Sequence, residues 1–450
     1  MLKTSRYNFI WPMENSSNAV IYNSFTGAAM ELDKKFLGYL EDNNIEEQKI
    51  PDEQQKNLIE ELETNGFLID DFIDEVKILK YRNTKEKYNR ETLSLTILPT
   101  YRCNLKCFYC YEDRNRIETM TPEIQESVLQ YVSKSMIGVK NIQVCWFGGE
   151  PLMAWDIVCS MSEKLMKLAR KKNCRYSAIM VSNGYLLDDD KIKRFTELGI
   201  DHIQITLDGT PALHSKRKGI KGDPEANFEL ILKNISMLIK AKVKVRIRIN
   251  IDKNNINAVD ELLNLLAKAN LRDAFIYPAM IETYTKLCSN IENNCLHQEE
   301  FAKIEVWFNK LLLEKGLKRD LSEILPTLKG NYCIYDQINS FSIAPEGDVY
   351  KCWSTIGNRE AAISDITERD DDLREKKKRI MQNIENMTWD PFARPECSKC
   401  KLLPVCMGGC PHQYKESGGN KSNCLTIENT IKENVINHVF SMKINKLFQS

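Results

Sequence analysis

The 450-residue chain is short of histidine, has no excess of either charge, and contains no long apolar run. Five histidines against fifteen cysteines make mixed Cys/His zinc sites a poorer expectation than all-thiolate centres. Basic and acidic residues number 63 each, so no basic field marks a nucleic-acid or anionic-membrane surface, and neither partner is expected. The run Arg374–Arg379 follows the acidic Asp370–Asp372 and reads as a solvated helix face. No stretch is long enough to span a bilayer, and the opening M-L-K-T-S-R-Y-N-F-I-W lacks the continuous apolar segment of a secretory signal. No G-x-G-x-x-G or phosphate-loop motif supports a nucleotide-hydrolase reading. Together these absences predict a cytoplasmic chain whose thiols stay reduced, where cysteine clusters bind metal more often than they form disulfides.

What is present is an alternating pattern. At 42% hydrophobic content the chain can build two to four ordinary cores. Apolar strand-like runs at Leu93–Leu98, Ile142–Phe147, Tyr176–Val181, His202–Leu207, Val243–Ile251 and Ala274–Tyr277 alternate with amphipathic segments. The helical segments include Pro122–Ser135, Asp156–Lys172, Asp190–Leu198, Ala226–Ala241 and Val259–Ala269. Such a series predicts an α/β fold with a parallel sheet, curved into a partial (β/α)6 barrel of about six strands. The unusual residues then fall together. A cysteine loop follows the first strand, Gly148-Gly149-Glu150-Pro151 the second, Ser182-Asn183-Gly184 the third and Asp208-Gly209 the fourth. All lie at C-terminal strand ends, which a parallel barrel gathers on one rim. Arg246, Arg248 and Asn250 alternate on the fifth strand and are expected to face the barrel interior.

The cysteine loop, C-N-L-K-C-F-Y-C, places Cys103, Cys107 and Cys110 within eight residues. Three thiolates this close can hold three corners of a 4Fe–4S cubane and leave the fourth iron open to a small molecule. A zinc site or a group of buried thiols are the plainer alternatives. Gly148 and Gly149 let backbone approach a ligand closely, and Glu150 can accept a hydrogen bond from an ammonium group.

On these motifs the chain resembles the radical SAM enzymes, whose signature is C-x3-C-x-aromatic-C, with Tyr109 as the aromatic. The resemblance implies that the open iron takes S-adenosylmethionine and that one electron cleaves it to methionine and a 5′-deoxyadenosyl radical. It implies further that Gly148, Gly149 and Glu150 hold the methionine amine, that backbone at Tyr109 faces the adenine and that Asn183 lies near the ribose. Thr206 would contact the nucleotide, and Arg217 would meet the carboxylate. The plain alternatives are a turn for Asn183, an ordinary strand residue for Thr206 and a surface charge for Arg217.

A second cysteine set begins at Cys333. Thirteen residues and Gly347 follow, then four residues and Cys352; later come Cys397-x2-Cys400-x5-Cys406-x3-Cys410 and Cys424. This spacing resembles the seven-cysteine SPASM domain, which implies two auxiliary 4Fe–4S clusters. By that resemblance Cys333, Cys352 and Cys410 bind the first, and Cys397, Cys400, Cys406 and Cys424 fully ligate the second. Cys288 or Cys295 can be considered as a fourth ligand of the first, though each reads more simply as an ordinary thiol. Cys145, Cys159 and Cys174 read as core residues, and a single zinc knuckle is the alternative for the C-terminal set.

Nothing in this chemistry needs the first ninety residues. Asn8–Met13 and Ala19–Asn23 read as strands, Gly27–Glu41 and Asp52–Asn65 as helices, and 66–69 as a further strand. The pattern resembles the winged-helix-like module that binds leader peptides in ribosomal-peptide maturases, by strand addition at a sheet edge; a packing domain is the alternative. The expected organisation is therefore 1–88 peptide recognition, 89–320 partial barrel and 321–450 a cysteine-rich iron–sulfur domain with a C-terminal helix. The function this implies is a maturase that installs a thioether or carbon–carbon crosslink, fed by a flavodoxin- or ferredoxin-like electron donor. The nearest enzymatic alternative is an anaerobic sulfatase maturase, whose Asp base directly after the cysteine matching Cys352 is here Trp353. A non-catalytic iron–sulfur electron carrier or redox sensor is the alternative of another class; it would need the clusters but not Gly148-Gly149-Glu150-Pro151.

Overall fold

The computed structural model describes residues 1–41, 53–283, 291–318, 325–367, 372–419, 424 and 426–449. Three short antiparallel strands open the chain after β1 (Leu2–Thr4): β2 (Asn8–Pro12), β3 (Asn18–Asn23) and β4 (Ala29–Asp33). Then come α1 (Gly38–Glu41), α2 (Glu53–Thr64), β5 (Leu68–Asp70), which pairs with β1, and α3 (Glu75–Lys87). The segment Gly27–Glu41, expected to be one helix, begins as strand β4. Pairing with β3 through Met30 opposite Ile21 overrides its helical composition.

Ala19, Val20, Ile21 and Tyr22 are all buried because β3 is covered on both faces. Ile21 packs with Leu2, Leu32, Ile59, Leu62 and Phe67 on one side. Val20 and Tyr22 pack on the other with Leu402, Val405, Ile431, Val435 and Val439 from the C-terminal region. Polar ties reinforce this: Lys401 Nζ donates to the Asn8 carbonyl (2.8 Å), and buried Lys87 pairs with Asp336 (3.3 Å).

The barrel runs β6 (Thr92–Ile97), α4 (Pro122–Ser135), β7 (Asn141–Trp146), α5 (Trp155–Lys171), β8 (Arg175–Ser182), α6 (Asp189–Glu197) and β9 (Ile200–Thr206). It continues with α7 (Pro211–Lys218), α8 (Pro224–Lys240), β10 (Lys244–Ile251), α9 (Val259–Lys268), β11 (Phe275–Met280) and α10 (Gln298–Glu314). All six strands are parallel, in the order β11-β10-β9-β8-β7-β6. Their helix-facing residues, such as Leu95, Val144, Met180, Ile203 and Ile247, join Val158, Phe195, Ile231 and Leu262 in one core. Fully burying each such side chain stabilises the fold by roughly 1.5–3 kcal/mol. The opposite face is the more polar one and carries Thr96, Gln143, Gln204, Arg248 and Tyr277 beside the exposed Ile179 and Phe275.

The sheet also continues past the barrel. After β6 come β12 (Ser340–Ile343), parallel to it, then β13 (Asp348–Tyr350) and β14 (Ser364–Asp365), antiparallel, making nine strands. The C-terminal region is completed by α11 (Leu373–Met387), α12 (Pro395–Ser398), α13 (Leu403–Cys406), α14 (Pro411–Glu416) and α15 (Ile427–Gln449). In α11 the basic run is solvated as expected up to Lys378. Arg379 instead is buried against Asp348 (3.4 Å), because this turn of the helix faces β13.

Candidate active site at the strand ends

The loop after β6 carries Cys103, Cys107 and Cys110 and is docked on the C-terminus of α7. The Lys106 and Phe108 N–H groups donate to the Lys218 and Arg217 carbonyls (2.9 and 3.1 Å). Gly219, at φ +63, lets α7 end against Lys106. The three thiols lie in one another's fields. Burial pushes Cys110 up to about 11, so it stays a neutral thiol until a metal displaces the proton.

The second loop is pressed against the first. The Glu150 N–H donates to the Arg102 carbonyl (2.9 Å). A Cβ on Gly149 would sit 2.3 Å from the Tyr101 carbonyl oxygen and 2.4 Å from that of Arg102, so only glycine fits. Glu150 is 1% exposed. Its carboxylate accepts from the Leu152 N–H (3.1 Å), the Ser182 hydroxyl (2.9 Å) and the Asn183 N–H (2.8 Å). Burial raises it to about 7, against the pull of these bonds. A carboxylate offers about four lone-pair sites, so most of Glu150 is spent tying the second loop to the third. Asn183 is likewise engaged, donating from Nδ2 to Asn104 Oδ1 (2.8 Å) inside the cysteine loop and accepting from the Tyr185 N–H (3.0 Å).

The fourth loop centres on Asp208, fully buried. It accepts from the Tyr109 hydroxyl and lies 3.5 Å from Lys218 Nζ. Burial opposes its charge, but the Lys218 and Arg217 cations hold its pKa below the usual value. His214 is driven down to about 3 by burial and by the Lys218 cation. Being neutral, its Nδ1 accepts from the Asp208 N–H (3.2 Å). Thr206 stands at the end of β9 on the polar face, in register with Arg248, whose Nε donates to Asn250 Oδ1 (2.8 Å). Arg246 shares that face but is exposed, over the Phe275 ring.

Arg217 is 4% exposed, which rules out a surface charge. One nitrogen grips both oxygens of buried Asp252 (3.1 and 3.0 Å), while Nε and Nη2 are buried without a hydrogen-bond partner and the guanidinium lies over the Phe108 ring (4.8 Å). The sequence reading missed Lys218, His214 and Asp252. Asp252 directly follows β10 and could have been found by the strand-end criterion that picked out the other loops.

The C-terminal cysteines fall into two groups. Cys333, Cys352 and Cys410 act electrostatically on one another, and so do Cys397, Cys400, Cys406 and Cys424. Backbone N–H groups of Tyr335 and Leu402 point at the sulfurs of Cys333 and Cys400 (3.4 Å each), a donor pattern that suits thiolates. Among the described residues every cysteine is free of disulfides, and no three His, Cys, Asp or Glu side chains converge as ligands of a single ion. Ligands of a cubane bind separate irons and stand further apart than the ligands of one ion, so the lack of such a convergence does not count against a cluster. Cys288 lies outside the described residues. Cys295 packs with Ile281 and Ile291 against Phe108, Tyr109 and Tyr111, while Cys159 and Cys174 pack on the barrel core as expected. Cys352 also lines a cavity of about 630 Å³, shared with Tyr111, Glu112 and His412, between the cysteine loop and the C-terminal region. Phe147 stacks on Trp353 at 5.3 Å, bridging the same gap.

An open parallel α/β barrel with a thiol-bearing loop and three glycine- or carboxylate-bearing loops on one rim defines a class of cofactor-dependent barrel enzymes. Residues 97–266 match the model of the Radical SAM superfamily; the chain carries a radical SAM domain and is a radical SAM enzyme, a class that implies a 4Fe–4S cluster and S-adenosylmethionine. Over 345 residues it is 27% identical to the Fe-coproporphyrin III synthase of Methanosarcina barkeri, covering 69% of this chain and 80% of that protein. It is 24% identical over 369 residues to the cysteine-type anaerobic sulfatase-maturating enzyme of Clostridium novyi, covering 77% of this chain and 96% of the other. Its fold is shared with Streptococcus suis SuiB bound to precursor peptide SuiA, with TM-score 0.53 and 15% identity over 95% of this chain and 99% of that one. No helix among the described residues is long and apolar enough to cross a membrane.

Proposed function

We propose that the chain is a maturase of a ribosomally made peptide, installing a thioether or a carbon–carbon crosslink. The observation that carries this reading is the N-terminal unit, whose β4 is an edge strand of a sheet clamped onto the cysteine-rich region. An edge of this kind takes an extended leader peptide by strand addition, leaving the core residues to enter the rim. The working division is 1–88 for recognition, 89–320 for the barrel and 321–450 for the auxiliary centres. The precursor-peptide complex of the structural neighbour SuiB supports a peptide partner.

In this reading Cys103, Cys107 and Cys110 hold the cluster that, when bound, supplies the one-electron cleavage of S-adenosylmethionine. Gly148 and Gly149 let this loop lie against the cysteine loop, which sets the methionine end in place, and Glu150 has about one lone-pair site left for its amine. Arg217 presents Nε and Nη2 to the carboxylate, while Asp252 fixes the guanidinium plane. Tyr109, Asn183 and Thr206 border the nucleoside side. Cys333, Cys352 and Cys410 hold a first auxiliary cluster, and Cys397, Cys400, Cys406 and Cys424 a second. A flavodoxin- or ferredoxin-like protein is the electron donor, and the compartment is the cytoplasm.

Formylglycine formation is the second reading, favoured by the span of the sulfatase-maturase similarity. Trp353, half-exposed directly after Cys352, speaks against it, since indole cannot act as a base there. Co-expression with short cysteine-rich peptides followed by mass analysis separates the two. A crosslinked product lacking two hydrogens is expected. A Cys-to-aldehyde change instead, or no peptide modified by any candidate, would contradict the maturase reading.

A further inference from the structure

We propose that Glu282 is the fourth protein ligand of the cluster held by Cys333, Cys352 and Cys410, an oxygen donor on the iron that the three thiols leave uncovered. This rests on the assignment of those three cysteines to one auxiliary cluster. Glu282 lies two residues beyond the end of β11, at the rim of the barrel that faces the C-terminal region. Its Oε2 accepts from Gln413 Nε2 (3.1 Å). Gln413 sits on α14, three residues after Cys410, and its backbone N–H, with that of His412, bonds the Cys410 sulfur. One residue therefore clamps both the thiol and the carboxylate. Cys410 lies in the field of Glu282, and the Tyr332 phenol lies in the fields of Cys410, Cys333 and Glu282 together.

The described cysteines outside the two C-terminal groups are committed elsewhere. Cys295 donates to the Ile291 carbonyl (3.4 Å) and packs on the first cysteine loop, Cys159 and Cys174 pack on the barrel core, and Cys145 lies on β7. Gln413 holds only Oε2, which leaves Oε1 as the atom that would bind the iron. A carboxylate is a harder and more readily displaced donor for a cluster iron than a thiolate. Glu282 thus closes the site at rest and yields it to an incoming thiolate, which fits a substrate cysteine.

The test uses the full chain with Cys103, Cys107 and Cys110 changed to Ala, so that only auxiliary signals remain. Anaerobic reconstitution should give about eight irons, four per cluster. In this background Glu282→Gln removes one negative charge from a single cluster. Its midpoint potential should rise and its EPR g-values should change, while the second cluster stays unaltered. Glu282→Cys should restore a stable four-iron signal with a further shift, as full thiolate ligation requires. Full iron with an unchanged spectrum and potential in Glu282→Gln overturns the ligand proposal alone. A spectral change that appears only with Cys288→Ser overturns it as well. If Cys333→Ala in the same background loses no iron, the cluster assignment fails, and the proposal with it.

Discussion

The barrel and the cysteine-rich C-terminal region are built on different principles. Strands of six to eight residues in the barrel bury a continuous apolar face against helices, and this core is complete without any ligand. The C-terminal region has strands of two to four residues and one-turn helices around Cys397 and Cys406. Its apolar groups are small and borrowed: Leu403 and Met407 pack on Tyr7 and Leu79 from the N-terminal unit, and Tyr350 on Leu98 and Tyr101 from the barrel. A region with so little core of its own depends on its neighbours for its shape and, in the proposed reading, on iron as well. The barrel supplies rigidity to the rim, whereas the C-terminal region supplies thiols that, in the proposed reading, iron organises.

That contrast can be broken in two ways. The larger effect should come from stripping iron with a chelator. Limited proteolysis should then cut the segment 325–424 first and leave a barrel fragment with its parallel sheet intact by circular dichroism. Equal resistance of both regions would erase the distinction. A smaller and more local effect should follow Gly149→Ala, whose Cβ collides with two carbonyls of the cysteine loop. The barrel should fold and keep its auxiliary iron, while 5′-deoxyadenosine formation drops about 100-fold, the cost of misplacing a reacting group by roughly an ångström. Wild-type rates would show that the loop tolerates the shift.

The two regions were also legible in different ways. Apolar periodicity gave every barrel strand to within a few residues, and Pro122–Ser135 to the residue, since Thr121 accepts from the Ile124 N–H and Pro122 opens the first turn. In the C-terminal region no periodicity helped, and only the resemblance of the cysteine spacing to the SPASM domain implied a division of the seven thiols into two groups. What sequence could not supply was long-range pairing. The addition of β12 to β6, the burial of β3 between two cores and the strand at Ala29–Asp33 depend on partners far away in the chain. The same holds for Arg217, whose basic neighbours suggest a surface patch until Asp252 and the cysteine loop close over it.

The most direct test of the central claim is anaerobic 5′-deoxyadenosine formation, with iron counted in the same samples, for the wild-type chain and for the Cys103→Ala, Cys107→Ala, Cys110→Ala variant. The account predicts about twelve irons and product from the wild type, and about eight irons and no product from the variant, at four irons per cluster. Product from the variant at the wild-type rate would contradict it.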